Sequence, residues 1–304
     1  MNGRAIRIAA SVVLLGGLLA RVGPGPVLDG LRAVDLPTVL AVLALGAVST
    51  VAAARRWREI GLGLGVDVPM SAAVPAYYRS QLLNSVLPGG VAGDVDRGLR
   101  HGRDAGSAPL GLRVVAWDRL SGQSVQVLLT AVLLMVLSPR LRPVGAVMAA
   151  ALLALVVAVL VSPRPVQPRS RIARSWAVLR DDVRRGLVPR RSTLTVVALS
   201  LVVVAGTATT FLLAARAAGA TDLVGLVPVA LLVLVAMAVP LHVAGWGIRE
   251  GVAAWAFTAV GLGADLGVRS AVVFGVVATV ATLPGLLVIA SGRRARMREV
   301  VLDG

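Results

Sequence analysis

The chain has 304 residues, 57% of them apolar, with a mean hydropathy of +0.85, and several runs reach the roughly 20 residues a helix needs to cross a bilayer; one large soluble domain is excluded. The formal charge of +16 comes entirely from arginine, since lysine is absent, and the arginines sit in short links between apolar runs, which is the positive-inside pattern and not a nucleic-acid surface. With no cysteine and only His101 and His242 as imidazoles, disulfides, thiolate metal sites and multi-histidine metal sites are excluded, and no cofactor is expected.

In chain order, Arg4 and Arg7 precede an apolar run from Ile8 to Ala20, expected as a short first helix with its N-terminus in the cytoplasm. Gly23–Pro37 is turn-rich and suggests a surface helix outside. Val39 to Ala54 reads as a second span, stopped by Arg55, Arg56 and Arg58. From Gly61 to Arg113 the apolar runs are short, Arg79 stands mid-way, and Arg97, Arg100 and Arg103 close the segment. A re-entrant hairpin keeps both basic ends on one side, with Pro75–Leu87 entering and Gly89–Gly93 turning back.

Arg119–Leu137 and Pro143–Val161 are the next two spans. The link Ser162–Arg191 holds nine arginines, and its Ile172, Trp176, Leu179 and Val183 recur at helical spacing, as in a basic amphipathic helix on an anionic leaflet. Thr193–Ala215 and Leu223–Pro240 span again. For the terminal cluster Arg293, Arg294, Arg296 and Arg298 to be cytoplasmic after the last run, Val268–Ser291, the short stretch Gly251–Gly263 must also cross. The expectation is an all-α polytopic bundle of about eight transmembrane helices in one domain, 1–304, with both termini cytoplasmic. Only six of the 31 arginines (Arg21, Arg32, Arg140, Arg142, Arg216 and Arg269) then fall outside.

Two stretches carry the polar chemistry. Asn84–Arg97 reads NSVLPGGVAGDVDR, and Pro240–Gly251 reads PLHVAGWGIREG; at an offset of 152, Pro88, Val91, Ala92, Gly93 and Arg97 meet Pro240, Val243, Ala244, Gly245 and Arg249. The offset divides the chain into half-repeats, 1–160 and 161–304. An even number of spans in each makes them parallel, related by an axis along the membrane normal.

Gly89, Gly90 and Gly93, and Gly245 and Gly247 in the echo, permit close backbone approach and N–H groups that converge on an anion. Arg97 and Arg249 add planar forks suited to phosphate. Intramembrane charges mark function, and Arg249–Glu250 and Asp118–Arg119 are sequence neighbours that do not face each other on a helix, so cross-helix pairing among these four is expected. Asp94 and Asp96 are expected to cap a helix or pair with arginines. Asn84, Gln123 and His242 suit hydrogen bonds between helices. No nucleophile elbow, catalytic triad or P-loop is present, so no enzyme is expected.

In RSQLLNSVLPGGVAGDVDRGLRHGR, the WDRLSGQ that follows, VPLHVAGWGIREGVAAWAF and the late LPG at Leu283–Gly285, the chain resembles the flippase-like membrane family that includes the transmembrane region of lysylphosphatidylglycerol synthases. Pro240, Gly245, Gly247, Arg249 and Glu250 fit the late motif of that family. The resemblance implies movement of an anionic lipid, a phospholipid or a polyprenyl-phosphate-linked glycan, between the leaflets of the inner (plasma) membrane. The soluble aminoacyl-transfer domain of the synthases, and with it synthase activity, is not expected here. Arg97 and Arg249 would hold the lipid phosphate, with Glu250 and Asp118 tuning the site. The alternatives are a membrane partner presenting lipid to a glycosyltransferase, and a membrane-embedded transferase.

Overall fold

The computed structural model describes residues 34–87, 90–161, 182, 190–237 and 248–290. These form nine α-helices and no strand: α1 (Leu36–Gly63), α2 (Met70–Val86), α3 (Ala92–Asp104), α4 (Ala108–Leu137), α5 (Arg142–Val161), α6 (Arg190–Ala217), α7 (Val227–Ala236), α8 (Ile248–Ala259) and α9 (Ala264–Thr282). Five helices are long and apolar enough to cross a membrane, namely α1, α4, α5, α6 and α9, the last continuing to Ala290. The expected first helix at 8–20, nearly all of the basic link and the terminal arginine cluster lie outside the described residues.

Local chemistry sets the helix boundaries. Asp35 caps α1 by accepting from the Thr38 N–H at 3.1 Å, with Pro37 in the first turn, where its missing N–H costs nothing. The chain leaves α1 through Gly65, whose φ of 85° is open to glycine. Between α2 and α3 the backbone extends at Leu87 and turns through Gly90 at φ 61°.

The α2–α3 pair is the expected hairpin. Contacts between Asn84 and Gly93, Ser80 and Asp94, and Arg79 and Asp96 run in opposite order along the two helices, so they are antiparallel. At 1.5 Å per residue the 17 and 13 residues span about 26 and 20 Å, short of the ~30 Å hydrocarbon core. The runs at Leu223–Pro240 and Gly251–Gly263, expected as separate spans, differ from that expectation. They are α7 and α8, of 10 and 12 residues, about 15 and 18 Å, packed on one another as a second short pair.

The same order thus occurs twice: long, short, short, long in α1–α4 and again in α6–α9, with α5 between them. The packing repeats too. α2 of the first unit lies against α9 of the second, and α7 of the second against α4 of the first. The sense of the units is not the parallel one expected from span counting. Ser49 of α1 lies against Gly206 of α6, and Arg56 reaches Ser200, so the corresponding helices α1 and α6 run antiparallel. The reason is α5. The repeated units are 36–137 and 190–290, and the extra crossing between them makes the count odd, which inverts the second unit.

Small residues let the helices close. A Cβ on Gly111 of α4 would overlap Gly98 and Gly102 of α3, and one on Gly267 of α9 would overlap the Ala253 backbone of α8. Phe211, Phe257, Phe274, Leu134 and Leu231 build one buried cluster, centred on the second unit, with Phe211 and Phe274 rings 5.3 Å apart. Trp57, Ile60, Val68 and Tyr77 build another around the first hairpin. Outward apolar residues such as Val147 on α5 and Leu194 on α6, 68% and 63% exposed, are the lipid-facing surface.

Candidate functional site

The first hairpin ends in a buried ionic network. Asp118 of α4 has no exposed surface and accepts three hydrogen bonds, from Arg56 Nε at 2.9 Å, Tyr77 Oη at 2.9 Å and Arg97 at 3.1 Å. Asp94, in the first turn of α3, accepts from Ser80 at 2.9 Å, Asn84 at 3.0 Å, Arg97 at 3.0 Å and Arg119 Nε at 2.6 Å. Arg56 also donates to Ser200 of α6 at 3.1 Å. One network therefore ties α1, α2, α3, α4 and α6. Isolated charges are prohibitively costly in a low-dielectric interior, so each carboxylate is held by several donors.

Arg97 fills the centre. Its guanidinium carbon lies 4.5 Å from the Trp57 ring centroid and 4.1 Å from that of Tyr77. Among the described residues its Nε and one terminal nitrogen have no hydrogen-bond acceptor; the two aromatic faces supply the attraction. The His101 ring also packs against Trp57, with centroids 4.8 Å apart and planes tilted by 59°.

The second unit holds a counterpart. Arg249, in the first turn of α8, is buried to 2% exposure and donates through Nε and a terminal nitrogen to Glu250, at 2.9 and 2.5 Å. In each unit a buried guanidinium rests on a glycine of the closing long helix: Arg56 on Gly122 of α4, and Arg249 on Gly275 of α9.

Several site residues occupy roles other than those expected. Asp118, Arg119, Arg249 and Glu250 are expected to pair with one another across helices; Asp118 and Arg119 do pair across helices, but with Arg56 and Arg97 and with Asp94, while Arg249 donates to its own neighbour Glu250. Neighbours on a helix diverge, but a long arginine chain at a first turn, lying over a glycine, can fold back. Gly93 directs no N–H at an anion: its N–H goes to Asn84 Oδ1 at 2.8 Å, and its missing Cβ admits the Ser80 carbonyl. Gly90 offers Arg119 its carbonyl at 3.3 Å. Gly89, Gly245, Gly247 and His242 lie outside the described residues.

Asp94 pairs with arginines as expected, and Asp96 does so with Arg79 and Arg100. Sequence reasoning missed Arg56, Tyr77, Ser80 and Ser200. Arg56 had a signal: Ser49, Ala52, Ala53, Arg56 and Ile60 form one buried stripe at helical spacing, whereas its neighbour Arg55 is 61% exposed and belongs to the surface cluster.

A bundle of spanning helices with paired short helices and buried ion networks defines a multi-pass integral membrane protein. The family model for the lysylphosphatidylglycerol synthase TM region matches residues 4–285, and the chain belongs to that family. No curated protein matches it.

Proposed function

We propose that this protein is a lipid translocase that moves an anionic lipid between the leaflets of an inner (plasma) membrane, with both termini cytoplasmic. The observation that carries this reading is the three-arginine, two-aspartate network buried where the first hairpin meets the spanning helices. A structural bundle has no need of so many charges in its interior, where packed apolar residues are often as stable. Arg97 and Arg119 in the first unit and Arg249 in the second are the cations for a lipid phosphate, with Asp118 and Glu250 as the carboxylates that hold or release them. Membership of the family supports a lipid-related role. The proposed chemistry is binding and passage, with no bond made or broken and no cofactor.

The test is headgroup accessibility in proteoliposomes containing labelled phosphatidylglycerol or a polyprenyl phosphate. Wild type is expected to accelerate exchange, and Arg97→Lys and Arg249→Gln to lose most of the acceleration while the unfolding midpoint shows the bundle intact. Arg97→Lys keeps the charge and loses the fork. No acceleration by folded wild type with either lipid would sink translocation and leave a partner that presents lipid to a glycosyltransferase.

A further inference from the structure

The three arginines of the buried network are not equally open. The side chains of Arg56 and Arg97 are 7% and 1% exposed, whereas that of Arg119 is 41% exposed. Arg119 stands at a groove of about 330 Å³ between α3 and α4. Leu112, Ala116 and Leu120 of α4, at helical spacing, form one wall, and Val91 and Val95 form the other. Leu112, Leu120, Val91 and Val95 are between 36% and 48% exposed, so the groove is apolar and open on its outer side. Asp94, Arg119 and Gln123 are the polar residues of the groove, and Gln123 Oε1 is buried without a hydrogen-bond partner among the described residues.

Charge decides what this groove accepts. Arg56, Arg97 and Arg119 face Asp94 and Asp118, three positive charges against two negative, so the network has one positive charge in excess. A neutral chain in the groove would leave that excess uncompensated, and a zwitterionic headgroup would bring a second cation towards it. One phosphodiester with no ammonium neutralises it.

We infer that the α3–α4 groove is a lateral seat for an anionic glycerophospholipid, whose phosphate takes Arg119 from Asp94 and whose acyl chain lies between Val95 and Leu120. Asp94 is the built-in competitor. When phosphate replaces it, Asp94 keeps Ser80, Asn84 and Arg97, all on the hairpin, and the hairpin loses its ionic tie from Asp94 to α4. Lipid arrival is thereby linked to loosening of the α2–α3 pair. The inference deepens the reading of this network as a lipid site and does not require translocation.

The absence of cysteine gives a clean test. Val127 lies one helical turn beyond Gln123 on the same face of α4 and outside the groove lining. Full-length Val127→Cys carrying a bimane label is reconstituted in phosphatidylcholine bilayers. Its quenching by dibrominated phosphatidylglycerol is compared with that by dibrominated phosphatidylcholine. The association constant for the anionic lipid is expected to be about tenfold higher at this label, with no preference at a label on Val147→Cys of α5. Arg119→Gln is expected to abolish the preference. Ala116→Trp, which fills the groove and leaves every charge in place, is expected to do the same.

Equal quenching by both lipids at Val127, or a preference that survives Arg119→Gln or Ala116→Trp, would overturn the inference. Headgroup exchange on the same vesicles separates it from translocation. Selectivity without exchange keeps the seat and removes transport, and exchange without selectivity does the reverse.

Discussion

The two four-helix units share an order of elements and differ in how they hold their arginines. In α1–α4, three guanidinium groups and two carboxylates come from three helices, and the carboxylates take further hydrogen bonds from α2. In α6–α9 Arg249 donates to its neighbour Glu250, and Arg269 pairs with Asp265 one turn away on α9. The position that corresponds to Asp118 at the repeat offset is Ser270, buried and bonded to the Leu266 carbonyl of its own helix. The first network therefore cannot be broken at one residue without exposing charges on several helices.

That contrast can be broken at its strongest point first. Asp118→Asn leaves Arg56 and Arg97 without their shared counter-charge, and removing one partner of a buried ionic set costs about 3–5 kcal/mol. A large fall in the unfolding midpoint in detergent is expected, and a midpoint equal to wild type would show that the network is not a structural tie. The glycines sharpen the comparison at intermediate effect. Gly93→Ala drives a Cβ into the backbone carbonyl of Ser80, which must move with its helix, at about 1–3 kcal/mol. Gly275→Ala meets only the end of the Arg249 side chain, which can shift, and is expected to cost less in the same melting experiment. Equal losses would mean that Arg249 is as tightly fixed as the α2–α3 crossing. The smallest effect belongs to the exposed pair Arg269–Asp265 at 2.8 Å on the first turns of α9, where Arg269→Gln is expected to change stability by under about 0.5 kcal/mol.

Much of the fold was legible from residues alone. Apolar length located the long helices, and charge placement located the first hairpin at Pro75–Leu87 and Gly89–Gly93. The candidate site was only half legible. Arg97, Asp118 and Arg119 were singled out because charges in apolar surroundings are costly whatever they face. The partners of Asp118 and Arg119 lie across helices as expected but are Arg56, Arg97 and Asp94, because which helix faces which is not written in the local sequence. Arg56 was hidden inside the cluster Arg55–Arg58, where neighbouring arginines of one helix point to opposite environments, 61% exposed at Arg55 and 7% at Arg56.

Sequence by itself determined the membrane-embedded, all-helical character of this protein and the location of its long helices, because hydropathy and helix length are sums over neighbouring residues. The tertiary structure alone decided that Arg56 and Arg97 share Asp118, that Arg119 opens onto a groove, and that the second unit is inverted. Those outcomes depend on which helix faces which across the bundle, and side-chain pairing over 62 or 144 residues of separation leaves no local pattern to read.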